Sequence, residues 1–151
     1  MSDSCLRLIP VDPIFVPDSG AADKARKLLT AFVPDASQVT IDVRDEVSFI
    51  DQGANFESVS CSSCGSPIDL EWWQASLEKA TEGRCRDLAV TPPCCGKQAS
   101  LNDLRYVKPA GFARFSLEAM NPNRSENLEP KQLQQLESLL GCRLRQIWAH
   151  Y

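Results

Sequence analysis

With 151 residues the chain has room for one domain, or one domain carrying a small insert, and enough material to bury a hydrophobic core. Its composition is that of an ordinary globular protein, and 20 acidic against 16 basic residues leave a net charge of −4. That balance argues against a broad nucleic-acid face or a polybasic membrane surface.

The N-terminal run Met1-Ser2-Asp3-Ser4-Cys5-Leu6-Arg7 carries an early acid and no apolar stretch, so no secretory signal is expected. Nothing along the chain approaches the roughly 18 apolar residues of a spanning helix. The expectation is a cytoplasmic protein whose thiols stay reduced. Leu8 to Pro17 is apolar but cut by Pro10, Pro13 and Pro17. Proline cannot donate to a sheet ladder, which predicts an edge strand or an extended lead-in. Asp18-Ser19 offers helix caps, and Ala22, Ala25, Leu28, Leu29 and Phe32 follow at helical spacing up to Pro34.

Val39 to Arg44 alternates apolar and polar, as a half-buried strand does. Asp45-Glu46 interrupts it, and Val47 to Ile50 resumes, as one bulged strand or a tight hairpin. Asp51-Gln52-Gly53-Ala54-Asn55 is a polar bend built from turn-forming residues. Asp69 caps a helix that carries Trp72, Trp73, Leu77 and Ala80 to Gly83, with Ile68 and Trp73 as a hydrophobic staple. Arg86 to Val90 reads as a short strand, and Ser100-x-x-Asp103 as a capping box opening a turn from Leu101 to Tyr106. Gly111 to Met120 alternates again. Pro130 and Gly141 bracket a helix with Leu133, Leu136, Leu139 and Leu140, and Leu144 to Tyr151 is a final strand.

Setting residues 55–110 aside leaves strand, helix, strand twice over, in 1–54 and in 111–151. Two such units predict an α+β ferredoxin-like β-α-β-β-α-β sandwich with both helices on one face of an antiparallel sheet. Residues 55–110 are then an inserted module with one helix.

The insert holds the densest chemistry. Cys61-Ser62-Ser63-Cys64-Gly65 is answered by Pro93-Cys94-Cys95-Gly96. In each turn glycine suits the φ > 0 position after the thiols. Two such turns facing each other make the tetrahedral sulfur cage that Zn²⁺ prefers, at about 2.3 Å per bond, with no position left for water or substrate. The expected cofactor is one zinc per chain on Cys61, Cys64, Cys94 and Cys95. A redox dithiol is the alternative, and an iron–sulfur cluster lacks its usual spacing. The second pair departs from the common pattern, with proline at 92 and the extra thiol at 94. This makes Cys85 the substitute fourth ligand, although its other reading is a buried free thiol. Cys5 and Cys142 read as core residues.

Trp72, Trp73, Asp51 and Asn55 are the candidate interaction surface, with one tryptophan expected in the insert's core. His150 is the only histidine, either a base beside Asp51 or Asn55 or a solvated tail residue. Thr40, Asp42, Arg44, Arg114, Ser116 and Glu118 line one sheet face, open to water or covered.

Taken together, Phe49 to Glu57, the two thiol turns, Leu101-Asn102-Asp103-Leu104 and Gly111 to Phe115 resemble a family of uncharacterised bacterial proteins, some labelled sugar-transporter ATPases. No G-x-x-x-x-G-K-[ST] loop is present to cradle phosphates, so the resemblance brings no activity, substrate or partner. The thiol turns are separately similar to zinc-ribbon knuckles, which implies zinc. The functional expectation is a zinc-stabilised, non-catalytic module that binds another protein and no membrane. The alternatives are a nucleic-acid-binding zinc ribbon, with Arg84, Arg86, Lys97, Arg105 and Lys108 as its basic groups, and a metal- or thiol-dependent enzyme.

Overall fold

The computed structural model describes residues 3–151; Met1 and Ser2, the start of the stretch read as free of a signal, lie outside the described residues. In chain order the elements are β1 (Ser4–Pro10), α1 (Ser19–Phe32), β2 (Gln38–Ile50), β3 (Ser58–Ser60), α2 (Leu70–Glu82), β4 (Ala89–Val90), β5 (Ala99–Ser100), β6 (Arg105–Val107), β7 (Gly111–Met120), α3 (Pro130–Leu140) and β8 (Leu144–His150). The fold is mixed α+β. Four long strands form an open antiparallel sheet in the order β2-β7-β1-β8, while β3 pairs with β6 and β4 with β5. No helix among the described residues is long and apolar enough to cross a membrane.

The local signals explain most of these elements. Asp18 accepts hydrogen bonds from the Gly20 and Ala21 N–H groups at the start of α1, and Asp69 accepts one from Glu71 at the start of α2. Pro130 opens α3, and Gly141 closes it in the left-handed conformation at φ 76°. Ala22, Ala25 and Leu29 of α1 meet Leu136 and Leu140 of α3 over Leu6, Leu8, Phe115 and Leu117 of the sheet. Both helices therefore cover the same face. The interruption at Asp45-Glu46 is a bulge within one strand: Val43 faces Phe115 and Ser48 faces Ala113, so Arg44 to Val47 loop out opposite Arg114.

Several expectations need correcting. The proline-cut stretch is neither an edge strand nor simply extended: the strand is Ser4–Pro10, and it lies between β7 and β8. Pro10 closes it, and Pro13 and Pro17 fall beyond it, so the ladder loses little. The strand expected from Arg86 shrinks to Ala89–Val90. Arg84 and Cys85 adopt left-handed φ values of 58° and 53°, and the Cys85 N–H donates to Ala80 O at 2.7 Å. That compact stop to α2 consumes the residues before the strand. The turn placed at Leu101 to Tyr106 ends early, because Arg105 and Tyr106 pair with Ser60 and Val59. His150 is no solvated tail: it lies in β8, paired with Ser4 of β1, and is half-buried.

Residues 55–110 share a second core with Val47, Phe49 and Phe112 at the end of the sheet. Trp73 stacks on Phe56 at 5.3 Å and meets Phe49 edge-on at 5.8 Å, and Phe49 lies 5.2 Å from Phe112. The Trp73 indole N–H donates to the Tyr106 hydroxyl, which in turn donates to Leu101 O at 2.6 Å; burial pushes the Tyr106 pKa up to about 12.

A polar latch completes the join. The buried Asn102 amide donates to Val11 O at 3.1 Å, and its Oδ1 accepts from the Phe112 N–H at 2.9 Å and from Arg145 Nη1 at 3.2 Å. Gly111 is the residue that lets these groups close up, since a Cβ there would stand 2.7 Å from Arg145 Nη1 and 2.9 Å from Ile9. Asn102→Ala strands a buried N–H and a carbonyl at once. It should lower stability by about 1–3 kcal/mol, read as a lower urea midpoint at unchanged m-value.

Candidate metal centre

Both thiol turns are the tips of short hairpins. In the first, Ser60 bridges to Pro67, Ile68 N–H donates to Val59 O, and Cys61 N–H donates to Ser66 O at 2.9 Å. Gly65 N–H then reaches back to Cys61 O at 3.0 Å with φ at 76°. In the second, β4 and β5 form the arms, and Gly96 N–H reaches Pro92 O at 3.1 Å with φ at 69°. No atom would crowd a Cβ at either glycine, so the left-handed backbone alone calls for glycine there.

Superimposing the two turns on these bonds sets Pro92 where Cys61 stands and Cys95 where Cys64 stands. Cys94 then occupies the place of Ser63. It supplies from the tip of the loop the sulfur that Pro92 cannot.

The four sulfurs converge. Cys61 Sγ is 3.7 Å from Cys95 Sγ, Cys64 Sγ is 3.4 Å from Cys94 Sγ, and all four lie within 4.8 Å of one another. A tetrahedron of 2.3 Å zinc–sulfur bonds has edges of about 3.8 Å, so one ion fits between them. A polynuclear iron–sulfur cluster, with each thiolate on a different iron, would hold them farther apart. Cys61 is buried, Cys95 intermediate, and Cys64 and Cys94 are exposed.

Backbone and hydroxyl donors favour thiolate on one side of the group. The Cys64 and Ser63 N–H groups lower the Cys61 pKa, and the Ser66 hydroxyl and N–H bring Cys64 down to about 6. Cys94, against the Cys64 sulfur, is pushed up to about 12. Four sulfurs this close are costly to ionise together unless a cation lies among them.

The remaining thiols stand apart. Cys85 is buried at the end of α2 and does not join the four-sulfur group. Cys5 packs in the sheet 3.8 Å from Glu118 Oε1, and burial pushes it up to about 11. Cys142 lies against the helix-covered core, with its pKa raised to about 11 by burial.

Of the candidate interaction residues, Trp73 is buried, while Trp72 is half-buried and lines a groove of about 480 Å³ with Lys79, Arg86 and Val90. The polar bend is docked internally. Asp51 accepts from Arg7 at 3.0 Å and from the Tyr151 hydroxyl at 2.8 Å, and the Asn55 amide donates to Trp148 O. Ala54 N–H donates to His150 O at 2.7 Å, and Gly53 sits so close that a Cβ would meet that oxygen at 2.3 Å. His150 does come beside the bend, and its Nδ1 lies 3.2 Å from Ser4 Oγ.

The sheet face opposite the helices is only partly open. Thr40 and Asp42 are exposed, but Ser116 is buried and donates to Glu118 at 2.6 Å, while Arg7 and Arg44 both pair with that carboxylate. Arg7 and Tyr151 are the members of this network that sequence reasoning missed. Nothing local ties residue 7 to residues 51, 118 and 151.

No protein-family model, curated protein or solved structure matches this chain. The resemblance to proteins labelled sugar-transporter ATPases therefore gains no support, and the four-cysteine group is the feature with chemical content.

The geometry separates the two candidate fourth ligands. Cys94→Ser should lower the metal carried per chain, and Cys85→Ser should leave it unchanged, as read by elemental analysis of protein purified without added metal.

Proposed function

We propose that this chain is a zinc-stapled, non-catalytic protein-interaction module. The observation that carries the reading is the mutual approach of four thiols from two hairpin tips. Four thiolates suit Zn²⁺ in donor type and number, and they complete its coordination shell. A shell so closed leaves no place for a substrate, so the ion's work is to cross-link the insert. In this reading the scaffold is a ferredoxin-like sandwich of residues 1–54 and 111–151, and residues 55–110 are a zinc-ribbon-like insert. The strand order β2-β7-β1-β8 and the shared face of α1 and α3 support that assignment. A reducing cytoplasm is the compartment in which such thiols stay available to metal.

The groove under Trp72 supports binding as the output. A half-buried indole beside a concave surface is the kind of anchor that protein interfaces use. Its rim carries Lys79 and Arg86 against one acid, Asp87, which favours a partner segment bearing carboxylates.

Protein purified without added metal should contain one zinc per chain. A chelator should raise amide exchange across β3 to β6 first and leave β1 and β8 protected, because their ladder does not run through the sulfurs. In the native cell Trp72→Ala should lose a co-purifying protein that the wild type retains. Absence of zinc would remove the staple; an unchanged set of co-purifying proteins would remove the interaction.

A further inference from the structure

A second site lies away from the sulfurs, where five segments meet. Ser4, the bend at Asn55, the connection at Lys108-Pro109, the loop at Arg124-Ser125 and the end of β8 enclose a cavity of about 300 Å³. That volume is at the small end of ligand sites. Among the described residues every ionisable side chain lining it is a base: Lys108, Arg124 and His150, in a chain whose net charge is −4. No carboxylate pairs with Lys108 or Arg124 among the described residues, whereas Arg7, Arg44 and Arg145 all have one.

Hydrogen bonds orient the side chains of Arg124 and His150, and the backbone that presents the exposed Lys108 is itself fixed. Gln52, fully buried, donates its amide to Lys108 O at 3.0 Å and fixes that residue in a left-handed turn at φ 62°. Arg124 is anchored along one edge, with Nε donating to Glu126 O at 3.1 Å and Nη2 to Asn127 O at 2.9 Å, and Nη1 has no partner among the described residues. His150 is oriented by Ser4 through Nδ1, and its Nε2 has no partner among the described residues. A concave site whose charged groups share one sign focuses its field on an anion.

We propose that this cavity binds a small phosphate monoester. Two cations, an imidazole and the hydroxyls of Ser4 and Ser125 offer more charge and more donors than one carboxylate can use. A phosphate dianion can engage them together. The site shares no residue with the cysteine group, so its test is independent of the interaction reading.

The test is calorimetric titration of the metal-loaded full chain at low ionic strength with inorganic phosphate, phenyl phosphate and acetate, and with a single-stranded oligonucleotide. Saturable one-to-one binding of both phosphates, tighter than acetate, is expected. Lys108→Gln and Arg124→Gln should each weaken it by about tenfold or more, the loss of one charge-assisted hydrogen bond. Circular dichroism reports whether each variant folds, and the exposed Lys108 decides the matter if Arg124→Gln does not. Phosphates binding no better than acetate would overturn the proposal, as would a folded Lys108→Gln that binds like the wild type. Oligonucleotide binding tighter than phenyl phosphate and abolished by the same substitutions would reassign the site to a nucleic-acid backbone.

Discussion

The constraint on which this architecture turns is the meeting of two hairpin tips around four sulfurs. The strands that carry them are two or three residues long, too short to hold a register by their own ladders. Segments like these are normally stabilised by packing, by a covalent link or by an ion. Here the tips sit at one end of an aromatic core, with Cys61 inside it, Cys95 packed against it and Cys64 and Cys94 exposed beyond it. The two left-handed glycines are the local cost of bending each tip so that its sulfurs face inward.

The segment from 55 to 110 is built into the end of the sheet. Phe49 and Phe112, at the far ends of β2 and β7, enter its core, and Asn102 returns to lock Val11, Phe112 and Arg145. The bulge in β2 serves the same join, because it restores pairing at Ser48 and lets Val47 and Phe49 leave the helix-covered core for the insert. A disturbance at the metal-facing tips therefore has a path to the large sheet through aromatic contacts, and the polar latch limits how far it travels.

How much of this was legible depended on the range of the interaction. The Asp18 and Asp69 caps, the proline and glycine at the ends of α3, and the thiol turns are written within five or six residues and appear where the pattern placed them, whereas Ser100 ends a strand and caps no helix. The bulge at Asp45-Glu46 was legible as an interruption, though only the pairing of Val43 and Ser48 separated bulge from hairpin. Pro10, Pro13 and Pro17 pointed to an edge because proline's missing donor is a local fact. The strand's interior position is set by partners more than a hundred residues away. Likewise nothing local decided whether Ser116 and Glu118 were open to water or covered. It is Arg7 and Arg44, from other strands, that cover them.

The uneven exposure of the four cysteines has a consequence for metal traffic. Cys61 faces the protein, whereas Cys64 and Cys94 face water. An ion held among them would be anchored from within and approachable from without. Cys64 and Cys94 are the sulfurs that a competing thiol from solution would reach, and Cys61 is the one it would not.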